Sequence, residues 1–131
     1  MAIIVRLPLA SGLLSGKMNQ GSTFSENDHR NFNRDGQKFN VGETFSGLPF
    51  EKGLQLVDGL KKFAPDNLSQ FALRWVLDFE AVSVVIPGSK NPHQVVDNCA
   101  ASALPPLKDK THKAINDFYL NEVAPHIRGK Y

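Results

Sequence analysis

Two short stretches of the sequence carry the residue types that hold phosphate groups. The first is Pro8, Leu9, Ala10, Ser11 and Gly12, running on to Gly16 and Lys17, and it follows an apolar, β-branched run. The second, Gly88-Ser89-Lys90, follows another such run and opens into Asn91-Pro92. Glycine in a turn lets the backbone approach an anion closely, and the free N–H groups at a helix start point toward it. Ser89 and Lys90 add a hydroxyl and an ammonium at that point. Gln94 and Asn98 are four apart and so share one helical face, with Asp97 beside them. A base or ribose can lie against that face while a phosphate rests on the turn. Strand-to-helix turns also use glycine for geometry alone, so each stretch has a structural reading beside the functional one.

The other reactive side chains give weaker signals. His29, His93, His112 and His126 lack metal-ligand spacing and a paired cysteine, which reads as surface histidine. Cys99 falls on an apolar helical face and reads as core, not nucleophile. Trp75 and Phe71 read as core in the same way. Phe24, Phe32, Phe39 and Phe45 stand in a polar stretch and must be buried against something. Arg30 and Arg34 lie in that stretch within reach of a phosphate, although solvation is the default for them.

Composition narrows the class. The 131 residues suffice for one domain, and 41% hydrophobic with 21% charged content is that of a folded globular protein. Fifteen basic and thirteen acidic side chains, scattered, leave a formal charge of +2, which argues against nucleic acid. No apolar run approaches the roughly 20 residues of a membrane-spanning helix. Residues 1–5 read as the approach to a strand, not as a signal peptide. A single cysteine permits no internal disulfide, which suits a reducing compartment; the cytoplasm is the expected location.

The elements that must position the two turns follow from periodicity. Residues 3–7 and 82–86 have the composition of strands buried on both faces of a parallel sheet. Residues 18–48 form a long polar loop, which is uncommon in a compact domain. Helices are expected over 49–63, with Pro49 as first helical residue and Gly53 and Gly59 as weak points, and over 67–79, after the break at 64–67. Two more are expected, over 92–102, with Val95, Val96 and Cys99 facing inward, and over 108–121; the tail from Pro125 to Tyr131 reads as irregular. Alternating strands and helices indicate an α/β chain with parallel pairing, read as one domain over residues 1–131. Two strands make an incomplete sheet, since about four or more are usual.

Three segments together resemble one family. Residues 8–17 resemble the segment that follows the seventh barrel strand of the aldo/keto reductases. Gln70-Phe71-Ala72-Leu73-Arg74-Trp75-Val76-Leu77 is similar to the helix leading into their eighth strand. Val85-Ile86-Pro87-Gly88-Ser89-Lys90, followed by Gln94, Asp97 and Asn98, resembles their next phosphate-binding segment. The resemblance covers essentially the whole chain. It implies the C-terminal part of a (β/α)8 TIM barrel, two βα units plus a C-terminal helix, with NADP(H) across the C-terminal ends of the strands. By position, Pro8, Leu9, Ala10, Ser11 and Gly12 would follow the pyrophosphate, with Lys17 nearby. Gly88, Ser89 and Lys90 would take the adenosine 2′-phosphate, and Gln94 and Asn98 would face the adenosine. Asp97 stands where the family usually has Glu, and Arg6 and Leu7 where it often has an aromatic residue and Ser.

The same resemblance implies what is missing. The family's proton donor is a tyrosine supported by Asp, Lys and His, all from the first half of the barrel. Tyr119 and Tyr131, the only tyrosines here, match neither its position nor its surroundings. The resemblance thus implies a carbonyl reductase's cofactor-binding portion without catalytic residues, inactive in isolation and holding the dinucleotide weakly or not at all. The alternatives are a noncatalytic module that completes a barrel with a partner chain, and a nucleotide-binding fragment that self-associates. Exposed strand edges would favour a homo-oligomer or a missing N-terminal half as partner. The loop 18–48, deprived of its packing surface, would be the least ordered part.

Overall fold

The computed structural model describes residues 1–64 and 66–129. Pro65, in the expected break, and Lys130 and Tyr131, in the expected irregular tail, lie outside the described residues. Strand β1 spans Ile4–Arg6 and β2 spans Val84–Ile86. They pair in parallel, with Ile4 opposite Val84, Val5 opposite Val85 and Arg6 opposite Ile86. Between them run helices α1 (His29–Phe32), α2 (Phe50–Leu60) and α3 (Leu68–Leu77); after β2 come α4 (Pro92–Ala100) and α5 (Asp109–Phe118). Parallel pairing requires such a long crossover. A 3-10 turn, Ala101–Ala103, extends α4, and a π-helical turn, Tyr119–Val123, extends α5.

Local chemistry sets the helix starts. Asn67 caps α3 by accepting the Gln70 N–H at 3.1 Å, and Asn91 caps α4 by accepting the Gln94 N–H at 2.9 Å. Pro49 precedes α2 as its N-cap and is not its first helical residue. Gly53, expected to weaken α2, has a packing reason: an added Cβ would meet Leu13 Cδ1 at 2.9 Å.

Two burial expectations fail. Ile4, Val84 and Ile86 are 60%, 42% and 53% exposed, not buried on both faces. Their β-branched side chains suit a layered sheet, but among the described residues the two strands pair only with each other. Val95, Val96 and Cys99 are likewise exposed. The side of α4 that turns inward carries the Asp97 carbonyl, which accepts from Gln70 Nε2 at 2.9 Å, and leads to fully buried Ala101.

The long loop supplies core where disorder was expected. Phe45 is fully buried, and its ring lies 5.0 Å from Phe50 and 6.0 Å from Phe24. Leu13, Phe50, Val57, Ala64 and Leu68 join Phe45 in one cluster. The loop's packing surface is therefore α2 and the 3-10 segment Ala10–Ser15, both within this chain. Buried Asn33 replaces regular backbone pairing: its Nδ2 donates to Thr44 Oγ1 at 3.1 Å, and its Oδ1 accepts the N–H groups of Lys38 and Phe39, each at 2.9 Å. Arg30 and Arg34 lie over the rings of Phe24 and Phe50 at 4.5 and 4.7 Å, so packing, not bulk solvation, governs both. Phe32 and Phe39 pair at the surface.

The C-terminal segment straps onto that loop. Arg128 donates from its backbone N–H and from Nε to the Gly47 carbonyl, each at 3.0 Å, and from Nη2 to the carbonyls of Arg34 and Leu48 at 3.3 and 3.1 Å. Gly47 has φ +76°, and an added Cβ would stand 2.6 Å from the Arg128 carbonyl oxygen. Gly47→Ala combines left-handed strain with a backbone clash, so we expect roughly 1–3 kcal/mol of destabilisation. The urea midpoint, compared at constant m-value, measures it.

Candidate functional site

The register of the sheet brings the two glycine-bearing turns together. Arg6 and Ile86 are partners at the ends of β1 and β2, and neighbouring strands lie about 4.8 Å apart, so both turns leave the same edge side by side.

The second turn is open and mostly polar. Gly88, Ser89 and Lys90 are exposed, and no atom stands within 4 Å of a Cβ placed on Gly88. Lys90 N–H donates to Gln94 Oε1 at 2.6 Å, and Asn98 Nδ2 donates to Ser89 Oγ at 3.0 Å. Gln94 and Asn98 do share a face, and it turns back on the turn itself. Asp97 Oδ2 stands 3.3 Å from His93 Nδ1. Lys90 makes no ion pair among the described residues, so its ammonium is available to an anion. The open Gly88 turn and this cation fit a phosphate; the Lys90 N–H is already engaged.

The first turn is wound tightly. Leu7, Ala10 and Ser11 have φ of 55°, 48° and 58°, and Gly12 has 94°. Left-handed backbone at three non-glycine positions stores strain that surrounding contacts must hold. Ser11 is the anchor: its Oγ accepts the Phe45 N–H at 3.2 Å and donates to the Glu43 carbonyl at 3.3 Å. Its hydroxyl therefore binds the loop, while Pro8, Leu9 and Ala10 are half-buried along the turn. Lys17 is exposed, and Gly16 before it packs near the Leu68 side chain, at the far end of the 3-10 segment from the sheet.

His29, read from sequence as a surface residue, places Nε2 3.3 Å from Ser11 Oγ, with Asp28 Oδ1 3.6 Å from its Nδ1. This resembles a nucleophile relay only in outline. The Asp28–His29 gap exceeds a hydrogen bond, and Asp28 is held by Arg30 Nε at 2.9 Å and Nη2 at 2.6 Å. That guanidinium, outweighing the opposing effect of burial, lowers the Asp28 carboxyl to about 2. The trio positions the loop. Its signal in the sequence was modest: an Asp before a short helix is a capping residue, and Asp28 Oδ1 does accept the Arg30 N–H.

Comparison with known proteins identifies the family and the fold. The family model for the aldo/keto reductase family matches residues 1–120. A probable voltage-gated potassium channel subunit beta from Oryza sativa subsp. japonica is 32% identical over 108 residues, 76% of this chain and 29% of that protein. The solved structure of a glycerol dehydrogenase from Gluconobacter oxydans superposes with a TM-score of 0.72 at 29% identity, covering 99% of this chain and 37% of that one. The chain thus spans about a third of the length of these relatives. Its two strands and their crossover are part of that family's TIM-barrel fold. No helix among the described residues is long and apolar enough to cross a membrane. The matched segment, the shared fold and the paired turns lead to one conclusion: this chain belongs to the aldo/keto reductase family.

Proposed function

We propose that this chain is the C-terminal, cofactor-binding portion of a cytoplasmic NADP(H)-dependent aldo/keto reductase, a carbonyl reductase when complete and inactive in isolation. The observation that carries the reading is the parallel register that puts both glycine-bearing turns at one sheet edge. Lys90 pairs with the adenosine 2′-phosphate, helped by the open backbone at Gly88 and the Ser89 hydroxyl. Gln94 and Asn98 hold that turn against α4 and offer their face to the adenosine, with Asp97 alongside. Pro8, Leu9, Ala10 and Gly12 give the pyrophosphate a wall of tight backbone, and Ser11 holds that wall by its bonds to residues 43 and 45. Lys17 adds positive charge at the far end of the 3-10 segment. The cofactor, when bound, supplies the hydride; a protein group must supply the proton. Tyr119, the only tyrosine among the described residues, sits in the π-helical turn and lines a largely apolar cleft, and the structure gives it no Asp, Lys or His partner among the described residues. That supports inactivity. We expect NADPH oxidation with aromatic aldehydes to stay at the protein-free blank; turnover clearly above it overturns the proposal of an inactive portion.

A second reading concerns partners. Exposed Ile4, Val84 and Ile86 stand on a sheet that among the described residues has two unpaired strand edges, and Val96 is exposed on α4, which together are a liability in a monomer. These residues support either a homo-oligomer or an N-terminal barrel half bound in trans. Sedimentation velocity across a hundredfold dilution is expected to show association; a compact monomer throughout, unaltered by added N-terminal half, overturns it.

A further inference from the structure

We propose that the apolar cleft between α2, α3 and α5 is a binding site for a small, uncharged, hydrocarbon-rich molecule. The cleft, partly open to solvent, has a volume of about 530 Å³, within the roughly 300–1,000 Å³ of small-molecule sites. Leu56 and Leu60 of α2, Ala72 and Val76 of α3, Ile115 of α5 and Ile127 of the C-terminal strap line it. No charged side chain among the described residues joins them, so burying an ionised ligand here would cost far more than it returns.

Protein interiors normally close over apolar space of this size. Two sets of polar contacts outside the cleft hold its walls apart. Asp78, at the end of α3, accepts from Arg74 Nε at 2.9 Å, from Leu107 N–H at 2.9 Å and from His112 Nε2 at 2.8 Å, which fixes α3 to α5. Arg128 fixes the strap to the carbonyls of Gly47, Leu48 and Arg34. The site is thus preformed, and a ligand need not order it. A second copy of the chain is the poorer occupant. Of the exposed large apolar residues that a copy would cover, Phe79 and Tyr119 line the cleft, whereas Ile4, Val84, Ile86, Val95 and Val96 lie away from it on the sheet and α4.

Pro8 and Ala10 of the first turn also line the cleft, so it adjoins the proposed pyrophosphate wall, but an uncharged probe reads the apolar part alone. The test is a fluorescence titration of the full chain with the neutral probe N-phenyl-1-naphthylamine. We expect saturable binding of one probe per chain, weakened about tenfold or more by Ala72→Trp, which fills the cleft, and by Val76→Ser, which makes it polar. Val96→Ser, at an exposed position of α4, should leave the affinity unchanged. Far-ultraviolet circular dichroism checks that each variant folds, and Val76→Ser decides if Ala72→Trp does not. Non-saturable uptake, loss in Val96→Ser alone, or occupancy that falls as protein concentration rises would each overturn the proposal, the last by placing a second copy in the cleft.

Discussion

Lys90→Ala is expected to weaken NADP binding roughly tenfold to a hundredfold while leaving NAD nearly unchanged. The expectation rests on the proposed 2′-phosphate site at the turn Gly88-Ser89-Lys90. Lys90 is exposed and has no ion-pair partner among the described residues, so no internal contact competes for its ammonium. A charge-assisted hydrogen bond to a phosphate contributes about 1.5–3 kcal/mol, which sets the size of the effect. NAD lacks that phosphate and should not register the change. The Lys90 N–H is bonded to Gln94 Oε1 at 2.6 Å, so the selectivity must come from the side chain. The useful quantity is the NADP-to-NAD ratio, because a chain spanning 37% of its structural relative offers part of a dinucleotide's contacts. Calorimetric titration of parent and variant with both dinucleotides measures it. Equal affinities in the parent, or a ratio that survives the substitution, would make Lys90 ordinary surface charge.

Asp78→Asn should be the most damaging conservative change in the chain, at about 3–5 kcal/mol. The Asp78 side chain is 6% exposed and accepts from three donors on two other segments as well as its own helix. An asparagine of the same shape turns an N–H₂ toward groups that are all donors, leaving Arg74 or the Leu107 N–H unpaired in a buried place. Burial by itself would raise the Asp78 carboxyl, but the Leu107 N–H, His112 and the Arg74 guanidinium outweigh it and hold it below its ordinary value of 3.8. The sign follows: a depressed folded value means stabilisation that is complete above the unfolded carboxyl's range and disappears as pH falls through the folded one. Urea melts from pH 7 downward should therefore show parent and Asp78→Asn converging toward acid. A constant gap across that range would mean that shape, not charge, makes the contribution.

The elements of this fold were legible where one residue type has one local use. Asp66 or Asn67 marked the start of α3, where Asn67 is the cap, and Asn91 the start of α4; of the helically spaced Leu68, Phe71, Ala72, Trp75, Val76 and Phe79, Leu68 and Ala72 are buried and Phe79 is exposed. Burial that depends on absent neighbours was not legible. Val84, Ile86, Val95 and Val96 have the composition of interior residues, yet this chain does not bring a layer to cover them. The loop was misread for the opposite reason. Asn33 and Thr44 look solvated in sequence, but their side chains replace the backbone ladder that a regular element would provide, and this permits their burial. At the candidate site, glycine and lysine in the second turn were readable as anion chemistry. The engagement of Ser11 with Phe45, 34 residues away, has no local signature at all.

The Arg128 strap also dictates when the molecule can finish folding. Its side chain closes hydrogen bonds across 81 and 94 positions of sequence, to Gly47 and Arg34, and the Ile3–Ser83 bond spans 80 more. Pairings this distant slow the search for the native state, since loop closure must precede any reward from contact. A chain still emerging from the ribosome can wind α2 and α3, yet the carbonyls at 34, 47 and 48 have no guanidinium to receive until residue 128 is free. Synthesis halted before residue 128 would thus leave loop 18–48 unlatched, the state most open to proteases.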